Sequence, residues 1–339
     1  MTTTSTAELH SVVSPMYQEA DGAEEFVRRT CDALDGLEYE LIVVEDGCTD
    51  GTYEVLAGLL ERYPRLRVVR LSRNFGHQLG ITAGIDFARG DTVTVLDSDL
   101  QDPPEIIPEM IERWRRGADV VFAVREHRDG ESAFKRGTAA AFYRLLRSLT
   151  DVDIPVDAGD FRLMSRRAAT ALRGMREHAR FVRGMSGWIG LQRDTVTYRR
   201  DARYAGETKY PVRAMIRLAL NGLFSFSTRP LQLTLAMGFA AAALGLAFAA
   251  WVVISRVANT PLVQGWASLM FVALFFGGAQ LITIGIIGEY IGRIYDEVRG
   301  RPLYLVREVV GFDPEVENAF ADSPLPVVGR RTGRFRAPR

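Results

Sequence analysis

Charge is missing from two long stretches near the C-terminus, Leu231 to Ser255 and residues 266–288 (WASLMFVALFFGGAQLITIGIIG). Each is long enough for a helix, rising roughly 1.5 Å per residue, to cross a hydrocarbon layer of about 30 Å. Helices buried in a soluble domain rarely run so far without one charge, so this absence counts strongly against an ordinary soluble hairpin. Cysteine is scarce as well: Cys31 and Cys48 are the only two. One falls in an expected helix and the other in a loop, which fits free thiols in a reducing compartment better than a disulfide framework. The N-terminal MTTTSTAELHS has neither a basic start nor an apolar core and does not read as a signal peptide. No glycine-rich dinucleotide fingerprint follows the first strand and no Walker loop is present, which counts against hydride transfer and P-loop hydrolysis. No internal repeat is evident.

The formal net charge is zero, but the charges are unevenly placed. Arg213, Arg217 and Arg229 precede the first apolar run; Arg293, Arg299, Arg301 and Arg307 follow the second, and the connection carries only Arg256. The positive-inside bias places the region before the spans and the C-terminus on the cytoplasmic side of a plasma membrane.

Ahead of the apolar runs, strands alternate with helices. SVVSPMYQE, YELIVVEDG, RLRVVRLS, DTVTVLDSD and ADVVFAV read as strands; residues 22–35, GTYEVLAGLLERY, HQLGITAGIDFARG and PPEIIPEMIERWRRG read as helices between them. That rhythm predicts an α/β domain over 8–208 with a mainly parallel sheet covered on both faces. Further on, FKRGTAAAFYRLLRSL reads as a helix, DIPVDAGDFRLMSRRAATAL as a turn, strand and helix, and LQRDTVTYRR as a strand. An amphipathic juxtamembrane helix is expected over 209–229, and spans over 230–255 and 266–290. A β-hairpin over 291–312, turning at Arg299-Gly300-Arg301-Pro302, would be weak alone and is expected to dock on a neighbour. Residues 322–339, rich in Pro and Arg, read as a disordered tail.

Ligands of open parallel sheets bind beyond the carboxyl ends of the strands. Acidic residues stand where packing does not call for them, at Glu45-Asp46-Gly47 and Asp97-Ser98-Asp99, and Tyr17 and Glu19 follow the first strand. Carboxylates at i and i+2 leaving a buried strand can converge on a hard cation, Mg²⁺ or Mn²⁺, although many such triplets are turns or helix caps. Asp46 suits acceptance from a nucleobase or ribose, with Tyr17 offering an aromatic face and Glu19 a further acceptor; Asp-Gly is equally a turn dipeptide.

The run PMYQE, VVEDGCTDGT, LSRNFGHQLGITAGIDFARGD, LDSDLQDPPEIIPEM, VDAGDFRLMSR and YAGETKYP resembles the polyisoprenyl-phosphate glycosyltransferases, inverting enzymes of family 2 with a GT-A fold. The likeness extends from position 10 to about position 310 and is similar in look to bacterial two-span enzymes that load glucose onto undecaprenyl phosphate. Glu45 and Cys48 depart from the usual aspartate and serine. The resemblance implies that Pro15, Tyr17, Glu19 and Asp46 hold the nucleoside, with Ser98 beside them. It implies that Asp97, Asp99 and Gln101 hold metal and diphosphate, and that Asp157 and Asp160 serve the acceptor and sugar, alternatives to a plain turn before a strand. Since such an acceptor is a lipid phosphate, Arg125, Lys135, Arg203 and Lys209 are the expected cations for it, where each is otherwise a surface charge.

The implied reaction moves a hexose, glucose favoured by AGETKYP over galactose, mannose or aminoarabinose, from a nucleotide-diphosphate sugar to a polyprenyl phosphate. Its partners are the donor, the lipid phosphate, the bilayer and further copies of the chain, a tetramer being favoured; no nucleic acid is expected. A phosphate monoester, with its second pKa near about 6, is mostly dianionic at neutral pH and needs no strong base to attack. A processive polymer synthase would need more spans and a Q-x-x-R-W motif. A transporter would need more polar residues in the spans than Gln280 and Thr283. A scaffold would not need carboxylates at successive strand ends.

Overall fold

The computed structural model describes residues 8–125, 158–199, 229–257 and 265–321. The expectations at Lys135, Asp157, Arg203 and Lys209, for the juxtamembrane helix (Arg229 apart) and for the tail lie outside them. The described residues form two compact units, 8–125, 158–199 and 300–321 in one, and 229–257 with 265–299 in the other.

The first unit opens with β1 (Leu9–Met16), α1 (Ala20–Ala33), β2 (Glu38–Glu45), α2 (Thr52–Leu59) and β3 (Leu66–Leu71). It continues with α3 (His77–Phe87), β4 (Thr92–Val95), a 3₁₀ turn at Pro104–Ile106, α4 (Ile107–Arg115) and β5 (Val120–Arg125). Next among the described residues come β6 (Ala158–Ser165), α5 (Arg166–Gly174), α6 (Val182–Trp188) and β7 (Arg193–Tyr198). The strands run β7-β5-β6-β4-β1-β2-β3-β8 in one sheet, β8 being Val306–Val310 near the C-terminus. β1 to β4 are mutually parallel, β5 and β7 are parallel to each other, and β6 is antiparallel to both β4 and β5.

Alternation along the strands divides the core between the two faces. Val12, Leu41, Val43 and Val68 join Phe26 and Val27 of α1 and Leu56 of α2 in one buried cluster. On the opposite face α3 lies close against β1 because Gly84 has no side chain: a Cβ there would sit 2.0 Å from Val13 Cγ1. The chain walks outward from β1 through β2 to β3, then α3 carries it back to β4 on the other side of β1. The strand order therefore reverses at β1, and that switch point opens a crevice at the carboxyl ends of β1, β2 and β4. The antiparallel β6 starts at the same edge. Its register pairs Val95 with Arg162, which sets Asp160 opposite Asp97.

The expected hairpin over 291–312 does not form. Residues 291–299 continue the helix α8 (Trp266–Arg299), where Glu289 and Arg293 pair at 2.9 Å one turn apart. The second half alone becomes β8 and pairs antiparallel with β3, Val310 opposite Val68. An isolated two-stranded ribbon is marginal, whereas an existing sheet edge offers ready backbone partners. The strand docks on the chain's own sheet, with Tyr304 fully buried just before it and α9 (Pro314–Ala321) after it.

The second unit holds α7 (Arg229–Val257) and α8, which touch each other. Among the described residues, one helical stretch, Phe275–Arg299, is long and apolar enough to cross a membrane; the apolar stretch Thr234–Phe248 of α7 is shorter. Phe239, Leu246, Trp251, Leu269 and Leu281 all stand exposed on these helices.

Candidate active site

After β1 come Tyr17, which is 49% exposed, and Gln18, a non-glycine residue at φ 57°. Gln18 is held there by two hydrogen bonds with Thr49, so the loops after β1 and β2 form one rim. Pro15 is buried and Glu19 half-buried at the start of α1. The loop after β4 carries a second left-handed residue, Leu100 at φ 57°. An L-residue in that region costs roughly 1–2 kcal/mol, so both loops need anchoring from their surroundings.

Asp46, at the end of β2, is 2% exposed. Its Oδ1 accepts from the Phe75 N–H at 2.7 Å and its Oδ2 from the Gly76 N–H at 2.8 Å. Burial pushes this carboxyl up, and the two N–H donors pull it back. Asp46 thus pins the turn that launches α3. Gly47 permits that approach: it has φ +69°, and a Cβ would lie 2.4 Å from Asn74 N. Next to it, Glu45 is wholly buried, pairs with Arg70 at 3.2 Å, and accepts from the Cys48 N–H. Burial pushes the Cys48 thiol up to about 12.

The pinned turn delivers His77 to the sheet edge. Its Nε2 lies 3.2 Å from Asp160 Oδ2 and 3.3 Å from Asp97 Oδ1. Burial opposes a charge on this ring, but hydrogen bonds to Asp160 and Asp97 outweigh it and raise the imidazole to about 10. Asp160 also faces Gln78 Nε2 at 3.2 Å, and Gln78 Oε1 in turn accepts from the Val182 N–H at 2.9 Å. Arg162, fully buried, donates to Asp160 Oδ1 at 2.7 Å and to Ser186 Oγ at 2.7 Å. Burial lowers Arg162 to about 10, against the pull of Asp160. Burial would raise Asp160, yet His77, Arg162 and Arg183 overcome it and hold the carboxylate far below its usual range.

His77, Asp97 and Asp160 each bring a ligand atom to within 4.8 Å of the others. Asp97 Oδ1 is buried, with His77 Nε2 beside it at 3.3 Å. Two hard carboxylates and one imidazole suit Mn²⁺, and also Mg²⁺. Of the expected metal set, Asp97 is in this cluster; Asp99 turns to accept from the Gln101 N–H at 3.2 Å, and Gln101 is nearly buried. Asp160, expected near acceptor and sugar, lies beside Asp97. Arg125, expected at a lipid phosphate, donates to Tyr198 Oη at 3.0 Å and faces Asp102 at 3.5 Å. Sequence reasoning did not single out His77, Gln78, Arg162 or Arg183. The polar pair opening the apolar HQLGITAGI and the arginine inside FRLM were the available signals.

The glycosyl transferase family 2 model matches residues 11–173. The glycosyltransferase YkcC of Bacillus subtilis is 44% identical over 90% of this chain and 95% of its own length. The chain belongs to glycosyltransferase family 2. It is an enzyme, and its α/β sheet is the GT-A arrangement expected of that family. This glycosyltransferase is also 42% identical to sll0501 of Synechocystis over 89% of the chain and 96% of that protein. It is 38% identical to the prophage bactoprenol glucosyl transferase homolog of Escherichia coli, over 88% of the chain and 98% of the relative.

Proposed function

We propose that this enzyme transfers glucose from a nucleotide-diphosphate glucose to a polyprenyl phosphate, with inversion at the anomeric carbon, at the cytoplasmic face of the membrane. The observation that carries the reading is the ionised Asp160 beside Asp97 and His77 at the switch point, in a chain alike over nearly its whole length to proteins named bactoprenol glucosyl transferase.

Asp97, Asp160 and His77 would hold the divalent cation, with Asp99 and Gln101 on the same loop within reach of the diphosphate. Bound there, Mn²⁺ or Mg²⁺ supplies positive charge to the donor's diphosphate as it departs. Tyr17, on the exposed rim, stacks on the base; Pro15, Glu19 and Ser98 line the nucleoside side, and Asp46 acts by holding α3. Arg162 and Arg183 keep Asp160 ionised, so that its carboxylate faces the positive charge developing on the sugar. The acceptor phosphate is already a nucleophile, so Asp160 and Asp157 orient and stabilise more than they remove a proton. Arg125, Lys135, Arg203 and Lys209 offset its charge against the donor diphosphate. α8 and α7 keep the enzyme at headgroup depth, where donor and lipid meet.

The test is a reaction of detergent-purified enzyme with Mn²⁺, undecaprenyl phosphate and a panel of UDP- and GDP-sugars, with lipid products read by mass spectrometry. A hexosyl-phosphate lipid from UDP-glucose, lost in Asp160→Asn and Asp97→Ala, is expected. Product from GDP-mannose alone would overturn the sugar assignment, and nucleotide release without lipid product would overturn the acceptor.

A further inference from the structure

Asp102 lies one residue beyond Gln101, and its side chain is completely buried. A buried carboxylate needs partners, and it finds them on two other strands. The Tyr198 hydroxyl, on the last residue of β7, donates to Asp102 Oδ1. Arg125, on the last residue of β5, faces Asp102 Oδ2 at 3.5 Å and donates to the same tyrosine oxygen at 3.0 Å. Arg125 and Tyr198 are register partners, so the carboxyl ends of two neighbouring strands grip one loop. Burial and the Asp102 charge push the Tyr198 phenol up, so it stays protonated and keeps donating.

The same groups also touch β6. The Tyr198 ring meets Phe161, next to Asp160, edge-on at 5.9 Å. The Arg125 guanidinium crosses the strand at Gly159, where a Cβ would lie 2.9 Å from Nη2. The loop so held contains Leu100 in its left-handed conformation, which is unfavourable for an L-residue and has to be held by its surroundings.

We propose that Asp102, Tyr198 and the half-buried Arg125 form an anchor that fixes the loop 97–102 against β6, making Asp102 and Tyr198 positioning residues for the cation site. Tyr198 and Asp102 are not among the side chains of the His77, Asp97 and Asp160 cluster; they set the separation of Asp97 from Asp160. The cation part of this inference rests on the proposed function, whereas the anchoring of the loop does not.

The experiment uses the full chain in detergent, as wild type, Tyr198→Phe, Asp102→Asn and Gly159→Ala. Amide hydrogen exchange is followed by peptide without added metal, and Mn²⁺ is titrated by electron paramagnetic resonance with UDP present and no lipid. Tyr198→Phe and Asp102→Asn are expected to speed exchange in 97–102 about tenfold and to weaken Mn²⁺ half-saturation about tenfold, the lower end for outer-sphere metal partners. Peptides from β1 and α1 should exchange as in wild type. Gly159→Ala, which displaces the guanidinium from another strand, should shift both readouts in the same direction. Unchanged exchange in 97–102, or equal acceleration in every peptide, would overturn the anchor. Unchanged Mn²⁺ affinity with a loosened loop would overturn its role in the cation site. A wild type that binds no Mn²⁺ would overturn the cation reading itself, and the exchange comparison would still decide the anchor.

Discussion

Arg162 is wholly buried and donates to Asp160 at 2.7 Å, so a fully enclosed cation holds this carboxylate far below its usual range. Removing one partner of such a pair leaves an uncompensated buried charge, at a cost of about 3–5 kcal/mol. Arg162→Met is expected to destabilise the catalytic unit by about that much in chemical unfolding. The double variant Arg162→Met/Asp160→Asn should recover part of the loss, and a simple sum of the two single effects would contradict the pairing.

Asp46 should act through the turn before α3. Asp46→Asn replaces one acceptor oxygen with a donor facing the N–H of Phe75 or Gly76, leaving a buried amide unsatisfied at about 1–3 kcal/mol. A lowered melting temperature is expected, together with a kcat that falls at least as steeply as the donor KM rises, since His77 moves with the turn. A pure KM effect in steady-state kinetics would instead make Asp46 a donor contact only.

The Cys48 thiol, pushed by burial up to about 12 from 9.0, should hold about a thousandfold less thiolate at pH 8 than an unperturbed one. Iodoacetamide labelling followed by mass spectrometry should find Cys48 almost inert in the native protein and quickly modified in denaturant. Rapid native labelling at pH 8 would refute the raised thiol.

His10 is buried against Thr92 Oγ1 at 2.8 Å, and burial lowers its pKa below 6.5. The unfolded chain therefore binds the proton more readily. Its stabilising contribution is complete above about pH 6.5 and is lost as pH falls through the lower folded value. Melting temperatures measured from pH 7.5 to pH 5 should drop for wild type and drop less for His10→Asn. Equal slopes would rule His10 out as a source.

The β8 edge offers a test of the corrected C-terminus. Tyr304 is fully buried and donates to Asp86 at 2.7 Å, and β8 covers the β3 edge. Truncation after Gly300 should expose that edge and the Tyr304 pocket and give aggregated protein on size-exclusion chromatography. Tyr304→Phe should stay folded and lose about 1–3 kcal/mol.

Much of the site is legible in the sequence because strand ends announce themselves. An apolar run that stops at DSD or EDG places carboxylates at a sheet edge, and Asp97, Asp46 and Tyr17 are found there. His77 is not legible in this way, since a histidine opening a helix has many uses and only the return of α3 across β1 brings it to Asp97. Arg162 is hidden inside an apolar strand, where its ion pair with Asp160 depends on an antiparallel register. The expected hairpin over 291–312 fails because alternation over a few residues does not separate a helix end from a strand. The sheet edge that recruits β8 lies far away in sequence.

The order of strands and helices, the acidic strand ends and the two charge-free runs were determined by the sequence itself, because hydrophobic period and turn chemistry act locally. The family motifs lie in the same linear order. The tertiary structure alone decided which polar groups meet: the reversal of strand order at β1, the reversed β6 and the docking of β8 on β3. Those relations depend on long-range pairing, in which residues far apart in the chain become neighbours only after the sheet has closed around its core.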